Sequence, residues 1–161
     1  MDFFPLVNGA VREYTSETAA GKGTFKIEVL TVAVSGGKTV AKCRRTVNWS
    51  GEPPAVSEYE VVKDSAEVRS GGVIEFKLPV KIGAEWIISP RRYWIEALDA
   101  EVKTPAGSFK NCLRVAYLIA EGDGGSGERY YAPGVGLVKV VENDEGEPFT
   151  HELARLLTNP S

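Results

Sequence analysis

Phe109-Lys110-Asn111-Cys112-Leu113-Arg114-Val115-Ala116-Tyr117-Leu118-Ile119 decides the fold class. Phe109, Leu113, Val115, Tyr117 and Ile119 recur with a period of two, Asn111 being the exception. Lys110, Cys112, Arg114, Ala116 and Leu118 occupy the alternate positions. Successive side chains of a strand point to opposite faces. The run therefore predicts a strand with one fully buried face and one partly covered face.

The same period extends in both directions. Ile74, Phe76, Leu78 and Val80 alternate, as do Ala41, Cys43, Val47 and Trp49 with Arg45 among them. Trp94, Leu98, Ala100 and Val102 alternate with Glu96 as an interruption. Phe25, Ile27 and Val29 share one parity and Leu30, Val32 and Val34 the other, which predicts a bulge near Val29-Leu30 or burial on both sides. Hairpin turns punctuate these runs at Ser35-Gly36-Gly37-Lys38, Ser70-Gly71-Gly72 and Thr104-Pro105-Ala106-Gly107. A long flexible loop is expected at Glu121 to Gly127, and a last turn at Asn143-Asp144-Glu145-Gly146. Helical spacing is confined to His151–Leu157, where a final edge strand fits nearly as well. The pattern predicts an all-β fold: a single curved antiparallel sheet, a meander forming a half-barrel or open barrel. About nine to eleven strands and under about a tenth helix are expected.

The 161 residues form one expected domain, residues 1–161, without internal repeat or linker. Hydrophobic residues at 43% and charged residues at 25% are ordinary globular usage, which argues against disorder. Nineteen basic against 22 acidic residues leave a net charge of -3. Nucleic acid would require a basic footprint to displace counterions from phosphates. The only basic groupings, Lys42-Arg44-Arg45 and Arg91-Arg92, read as solvated surface. No apolar run approaches the roughly 20 residues of a bilayer-spanning helix, and Met1 to Leu6 lacks the shape of a signal peptide. Either the protein is cytoplasmic, or a signal was trimmed and it belongs to the cell envelope or periplasm. Cys43 and Cys112 are too few for a disulfide framework and read as buried, reduced thiols.

Four stretches carry a resemblance: Phe4-Pro5-Leu6 with Asn8-Gly9 and Tyr14; Leu78-Pro79 with Gly83 and Trp86; Thr104-Pro105-Ala106-Gly107-Ser108-Phe109-Lys110-Asn111-Cys112-Leu113-Arg114-Val115; and Tyr130-Tyr131-Ala132-Pro133-Gly134-Val135-Gly136-Leu137-Val138-Lys139. In these the chain resembles a group of uncharacterised bacterial all-β proteins, many of them exported or lipid-anchored. The resemblance implies a curved antiparallel sheet akin to the half-barrels of periplasmic lipoprotein carriers, and implies no activity. The glycine and proline positions themselves read as turn and bend geometry.

Reactive groups are sparse. His151 is the one histidine, so a Ser-His-Asp or Cys-His site would have to use it, and no nucleophile signature accompanies it. A surface or interface histidine is expected. No ligand pair has zinc spacing. The Gly122–Gly127 loop lacks the Gly-Lys-Ser/Thr ending of a phosphate loop, and its Glu121, Asp123, Ser126 and Glu128 lack EF-hand spacing. The paired acids Asp99/Glu101, Asp144/Glu145 and Glu58/Glu60 read as solvated positions. No catalytic residue, cofactor or metal site is expected. The aromatic residues Trp49, Tyr93 and Tyr130, with Trp86, Trp94, Tyr117 and Tyr131, could line the concave side of the sheet; filling the core is the plainer reading. Trp86, Trp94, Tyr117 and Tyr131 are the candidate contacts for a ligand or partner. The expected function is a non-catalytic binding or assembly module of the cell envelope, its partner a protein. The alternatives are a carrier of an apolar small molecule such as a lipid chain, and a hydrolase with an unrecognised carboxylate site.

Overall fold

The computed structural model describes residues 2–119, 124–144 and 147–157. The Glu121–Asp123 part of the expected loop, with its two acidic calcium candidates, lies outside the described residues, as do Glu145 and Gly146 of the last turn. Twelve strands follow one another: β1 (Val11–Thr18), β2 (Gly21–Ser35), β3 (Lys38–Trp49), β4 (Ala55–Lys63), β5 (Glu67–Ser70), β6 (Val73–Lys77), β7 (Glu85–Ile88), β8 (Arg91–Thr104), β9 (Gly107–Ile119), β10 (Gly125–Ala132), β11 (Gly136–Asp144) and β12 (Glu147–Leu157). Two corrections to the sequence reading follow. The described residues form twelve strands, because the short β5 and β7 carry too few residues to show a period. The C-terminal run is not an edge strand: β12 pairs with both β1 and β11, so it lies inside the sheet.

All pairings are antiparallel, in the order β6-β5-β4-β3-β2-β1-β12-β11-β10-β9-β8-β7. The first and last strands thus pair in mid-sheet, and the sheet's two free edges, β6 and β7, are joined directly by residues 78–84. The sheet rolls until these edges touch, giving a nearly closed barrel, the open-barrel form of the expected curved meander.

Local geometry follows the turn chemistry. Gly36 and Gly37, both at positive φ (59° and 77°), form the two-residue β2–β3 turn. The bulge expected in β2 is present: Val29 pairs with Cys43 and Thr31 with Lys42, leaving Leu30 over. In β9, Asn111 sits at φ 55°, a conformation its short polar side chain tolerates. The extra backbone there resets the parity. Phe109 consequently packs in the same cluster as Cys112, while Leu113, Val115 and Tyr117 face another, so the sequence grouping of Phe109 with Leu113 is corrected. Register shifts along β8 likewise displace the expected Trp94 face, and the buried residues there are Tyr93 and Ile95. Gly125 to Gly127 belong to β10 rather than to the loop.

Two clusters form the core. One joins Phe76, Tyr93, Ile95, Leu113 and Tyr131 to Phe3 of the N-terminal segment. Phe4 seals it against Phe76 (ring centroids 6.3 Å apart) and Tyr131 (6.1 Å). The other gathers Tyr14, Phe25, Val102, Cys112, Val138 and Leu153. It forms because the β8–β9 hairpin bends across β10 and β11 to β12, where the Ala106 N–H donates to the Leu153 carbonyl at 3.0 Å. Each large apolar side chain so buried contributes on the order of 1.5–3 kcal/mol. Cys43 and Cys112 belong to different clusters, are unpaired, and burial raises both thiols above their ordinary pKa.

Candidate functional site

Up-and-down connectivity places the turns after β1, β3, β5 and β7 at one end of the barrel. The N-terminal segment and the turns after β2, β4, β8 and β10 lie at the other. Asp2 anchors that segment: its carboxylate meets Lys63 at 2.5 Å, and its carbonyl accepts from the Gly134 N–H at 2.8 Å. With Phe4 in place, this end is plugged. Between the plug and the opposite end lies a cavity of about 400 Å³. That is within the range of about 300–1,000 Å³ usual for small-molecule sites. The wall is lowest where the short β5 and β6 stand beside the longer β4, and Ser70, Gly71 and Val73 form that part of the lining.

The lining changes character along the barrel axis. Nearest the plug it is apolar, with Phe4, Leu6, Val29, Cys43 and Val61. One inward row above Val29 and Cys43, the register aligns Arg12, Ile27, Arg45 and Ser57 across β1 to β4. On the facing wall, Arg129 stands one inward position above Tyr131. Arg12 donates from Nε (2.9 Å) and Nη2 (2.7 Å) to the Val135 carbonyl, and from Nη2 to the Pro5 carbonyl (3.2 Å). Arg129 donates from Nη2 to the Ile74 and Glu75 carbonyls at 3.3 and 2.8 Å, while its Nε is buried without a partner. Its guanidinium also stacks 5.0 Å from the Tyr93 ring centroid. Arg45 stacks 4.8 Å from the Phe25 ring centroid. Among the described residues, none of these three arginines is ion-paired with a carboxylate. The lining's own acids are Glu75, which accepts from the Tyr131 hydroxyl at 2.9 Å, and Glu142, which pairs with Arg91 at 3.4 Å. Burial raises the Glu142 carboxyl above its ordinary pKa against the pull of Arg91.

His151 also lines the cavity, between Phe25 and Phe149 at 4.6 Å each. Its Nδ1 lies 2.7 Å from the hydroxyl of the buried Ser16. Burial, with the Arg45 charge adding to it, pushes the imidazole down to about 4. A serine–histidine pair that activates a hydroxyl needs a group that stabilises the imidazolium. Here the neighbouring charge is a guanidinium, which opposes it. Among the described residues, no group of three or more His, Cys, Asp or Glu side chains is arranged to hold a metal ion. Among the described residues no helix is long and apolar enough to cross a membrane.

Trp86, Tyr117 and Tyr131 come together in one core cluster. Trp86 stacks on Tyr93 (5.8 Å, 4°), Tyr93 tilts against Tyr117 (5.6 Å), and the Tyr117 hydroxyl donates to Asp144 at 2.6 Å. Trp94 is in neither core cluster: it lines a second hollow with Ala116, Tyr117 and Leu118, and Arg92 stacks on its ring at 4.9 Å. None of the four lines the 400 Å³ cavity. The sequence reading missed Arg12, Arg45 and Arg129. Lys42, Arg44 and Arg45 all have solvent access as expected, but Lys42 and Arg44 lie on the outer face, where Arg44 pairs with Glu58, while Arg45 lines the cavity. The signal was available: Arg45 shares parity with Ala41, Cys43 and Val47.

No family model matches this chain, and no curated protein does. Solved structures do match it, among them two that are covered over nearly their whole length. One is a candidate exported protein with a YmcC-like fold from Bacteroides fragilis NCTC 9343, with a TM-score of 0.73 and 16% identity, covering 97% of this chain and 99% of its own. The fold is YmcC-like. The other is a candidate lipoprotein from Parabacteroides distasonis ATCC 8503, with a TM-score of 0.67 and 16% identity, covering 96% of this chain and 98% of its own. At that identity the likeness extends to architecture: a YmcC-like barrel frames the cavity and its arginines.

Proposed function

We propose that this protein is a non-catalytic binding module of the bacterial cell envelope that holds a small molecule with an apolar part inside its barrel. The observation that carries this reading is the 400 Å³ cavity, plugged at one end and apolar next to the plug. A packed interior would have favoured a protein partner instead. The exported and lipoprotein descriptions of the two similar structures support the envelope assignment. The non-catalytic assignment rests on the Ser16–His151 pair, whose imidazole is held neutral beside Arg45 and lacks a carboxylate to orient it.

The test is native mass spectrometry of protein purified from a bacterial envelope fraction, followed by solvent extraction. Added mass that extracts as an apolar compound is expected. An empty protein that also takes up no amphiphile from a lipid extract would end the binding reading. Esterase activity that disappears in Ser16→Ala would end the non-catalytic one.

A further inference from the structure

The cavity has an axial order that selects one kind of occupant. Its floor is made by Phe4, Val29, Cys43 and Val61. Above that floor stand Arg45 on one wall and Arg129 on the facing wall, with Arg12 on the same register row as Arg45. Two strand spacings separate the Arg12 and Arg45 backbones, about 10 Å. Arg12 is spent on carbonyls of the chain, and Arg129 is half engaged through Nη2. Arg45 donates no hydrogen bond to any described residue and only stacks on Phe25.

A guanidinium withdrawn from water costs several kcal/mol unless an anion or acceptors replace its hydration. That applies to Arg129, whose Nε is buried without a partner, whereas Arg45 lines the same cavity with its side chain exposed to solvent and, among the described residues, without an ion-pair partner. The nearest cavity acids are already engaged: Glu75 by Tyr131 and Glu142 by Arg91. A ligand anion in the cavity would give the Arg129 Nε its acceptor and meet the unpaired Arg45 on the opposite wall. Its apolar remainder would run along the floor towards Phe4.

We propose that the barrel binds a single-chain anionic amphiphile, with its chain on the apolar floor and its carboxylate or phosphate against Arg45 and Arg129. This rests on the binding reading above and adds the chemistry of the ligand. A guanidinium suits either head group, because both accept paired N–H donors.

The test is isothermal titration of the full chain with laurate, dodecyl phosphate, 1-dodecanol and inorganic phosphate, each below the concentration at which it forms micelles. At least one of the two anions should bind roughly tenfold or more tightly than 1-dodecanol, the worth of one charge-assisted hydrogen bond. Whichever of laurate and dodecyl phosphate binds better identifies the head group. Arg45→Gln should reduce that preference severalfold, and Arg45→Lys should retain most of it. Arg45 serves as the test position because it donates no hydrogen bond that holds the fold, and circular dichroism checks that both variants remain folded.

If 1-dodecanol binds as tightly as the anions, or Arg45→Gln leaves the preference intact, the arginine assignment falls while the binding reading stands. Inorganic phosphate binding as tightly as dodecyl phosphate would also overturn the assignment, since the floor would then contribute nothing. If no chain binds, both readings fall.

Discussion

His151 shows how one buried side chain couples this fold to pH. The ring is wedged between Phe25 and Phe149, its Nδ1 meets the Ser16 hydroxyl, and burial together with Arg45 holds its pKa at about 4, below the ordinary 6.5. The folded pKa is the lower one, so the unfolded chain takes up the extra proton between the two values. The contribution of His151 to stability is then complete above about 6.5 and is lost as the pH falls towards 4. For a group partly screened by solvent, the loss is roughly 1–2 kcal/mol. His151→Gln keeps a hydrogen-bonding partner for Ser16 and removes the titration. Thermal melts should show the variant losing less stability than the parent between pH 7 and pH 4.5. Equal losses in both proteins would assign the acid sensitivity to other groups. Arg12 makes a different point at this scale. It donates to Val135 beside Gly136, where φ is 103° and a methyl group would stand 3.1 Å from the guanidinium. The Gly134-Val135-Gly136 motif is therefore architectural, the turn onto which β1 locks.

Among the elements, the edge strand β6 depends most on a single side chain. It has a ladder partner on one side only, and Arg129 reaches from β10 to take the Ile74 and Glu75 carbonyls. A hydrogen bond from a charged donor is worth about 1.5–3 kcal/mol. Arg129→Met should cost about 2 kcal/mol locally, so amides of β5 and β6 should exchange roughly thirtyfold faster while β9 keeps its protection. A uniform loss across all strands would mean that Arg129 supports the core rather than the edge. How much of these elements was legible in advance depended on length and continuity. The glycine turns, the β2 bulge and the strand character of Phe109–Ile119 could be read because turn residues and alternation are local signals. Parity beyond a bulge could not: one residue at φ 55°, Asn111, moves Phe109 to the other cluster, and the shifts in β8 leave Trp94 outside both clusters. The arginine band was hidden for another reason. Arg12, Arg45 and Arg129 lie far apart in sequence, and only the register across β1 to β3 and the closure of the barrel bring them to one cavity.

At the scale of the whole molecule, the barrel's weakest line falls in the middle of the chain instead of at its ends. β1 and β12 are laddered together from Val11–Leu157 to Thr18–Phe149, whereas β6 and β7 touch without a described ladder. Each half of the chain, β1–β6 and β7–β12, contributes six contiguous strands, and the link between them carries the exposed Lys81 and Ile82. Across the seam the halves are held by side chains: Phe4 and Phe76 against Tyr131, Arg129 on β6, and Tyr131 on Glu75. None of these contacts requires an unbroken chain at residues 78–84. A protease site placed at Lys81–Ile82 and cut in the folded protein should therefore leave two fragments that co-elute in gel filtration with an unchanged β-type circular dichroism spectrum. Joining them no longer comes free of association entropy, so the urea midpoint of the cut protein should fall and become dependent on protein concentration. The same site placed in the β2–β3 turn, at Gly36–Gly37, cuts between two fully laddered strands and serves as the comparison. If the fragments cut at Lys81 separate while those cut at Gly36 remain together, the linker itself holds the seam, and the β1–β12 ladder is not what keeps the two halves of the barrel together.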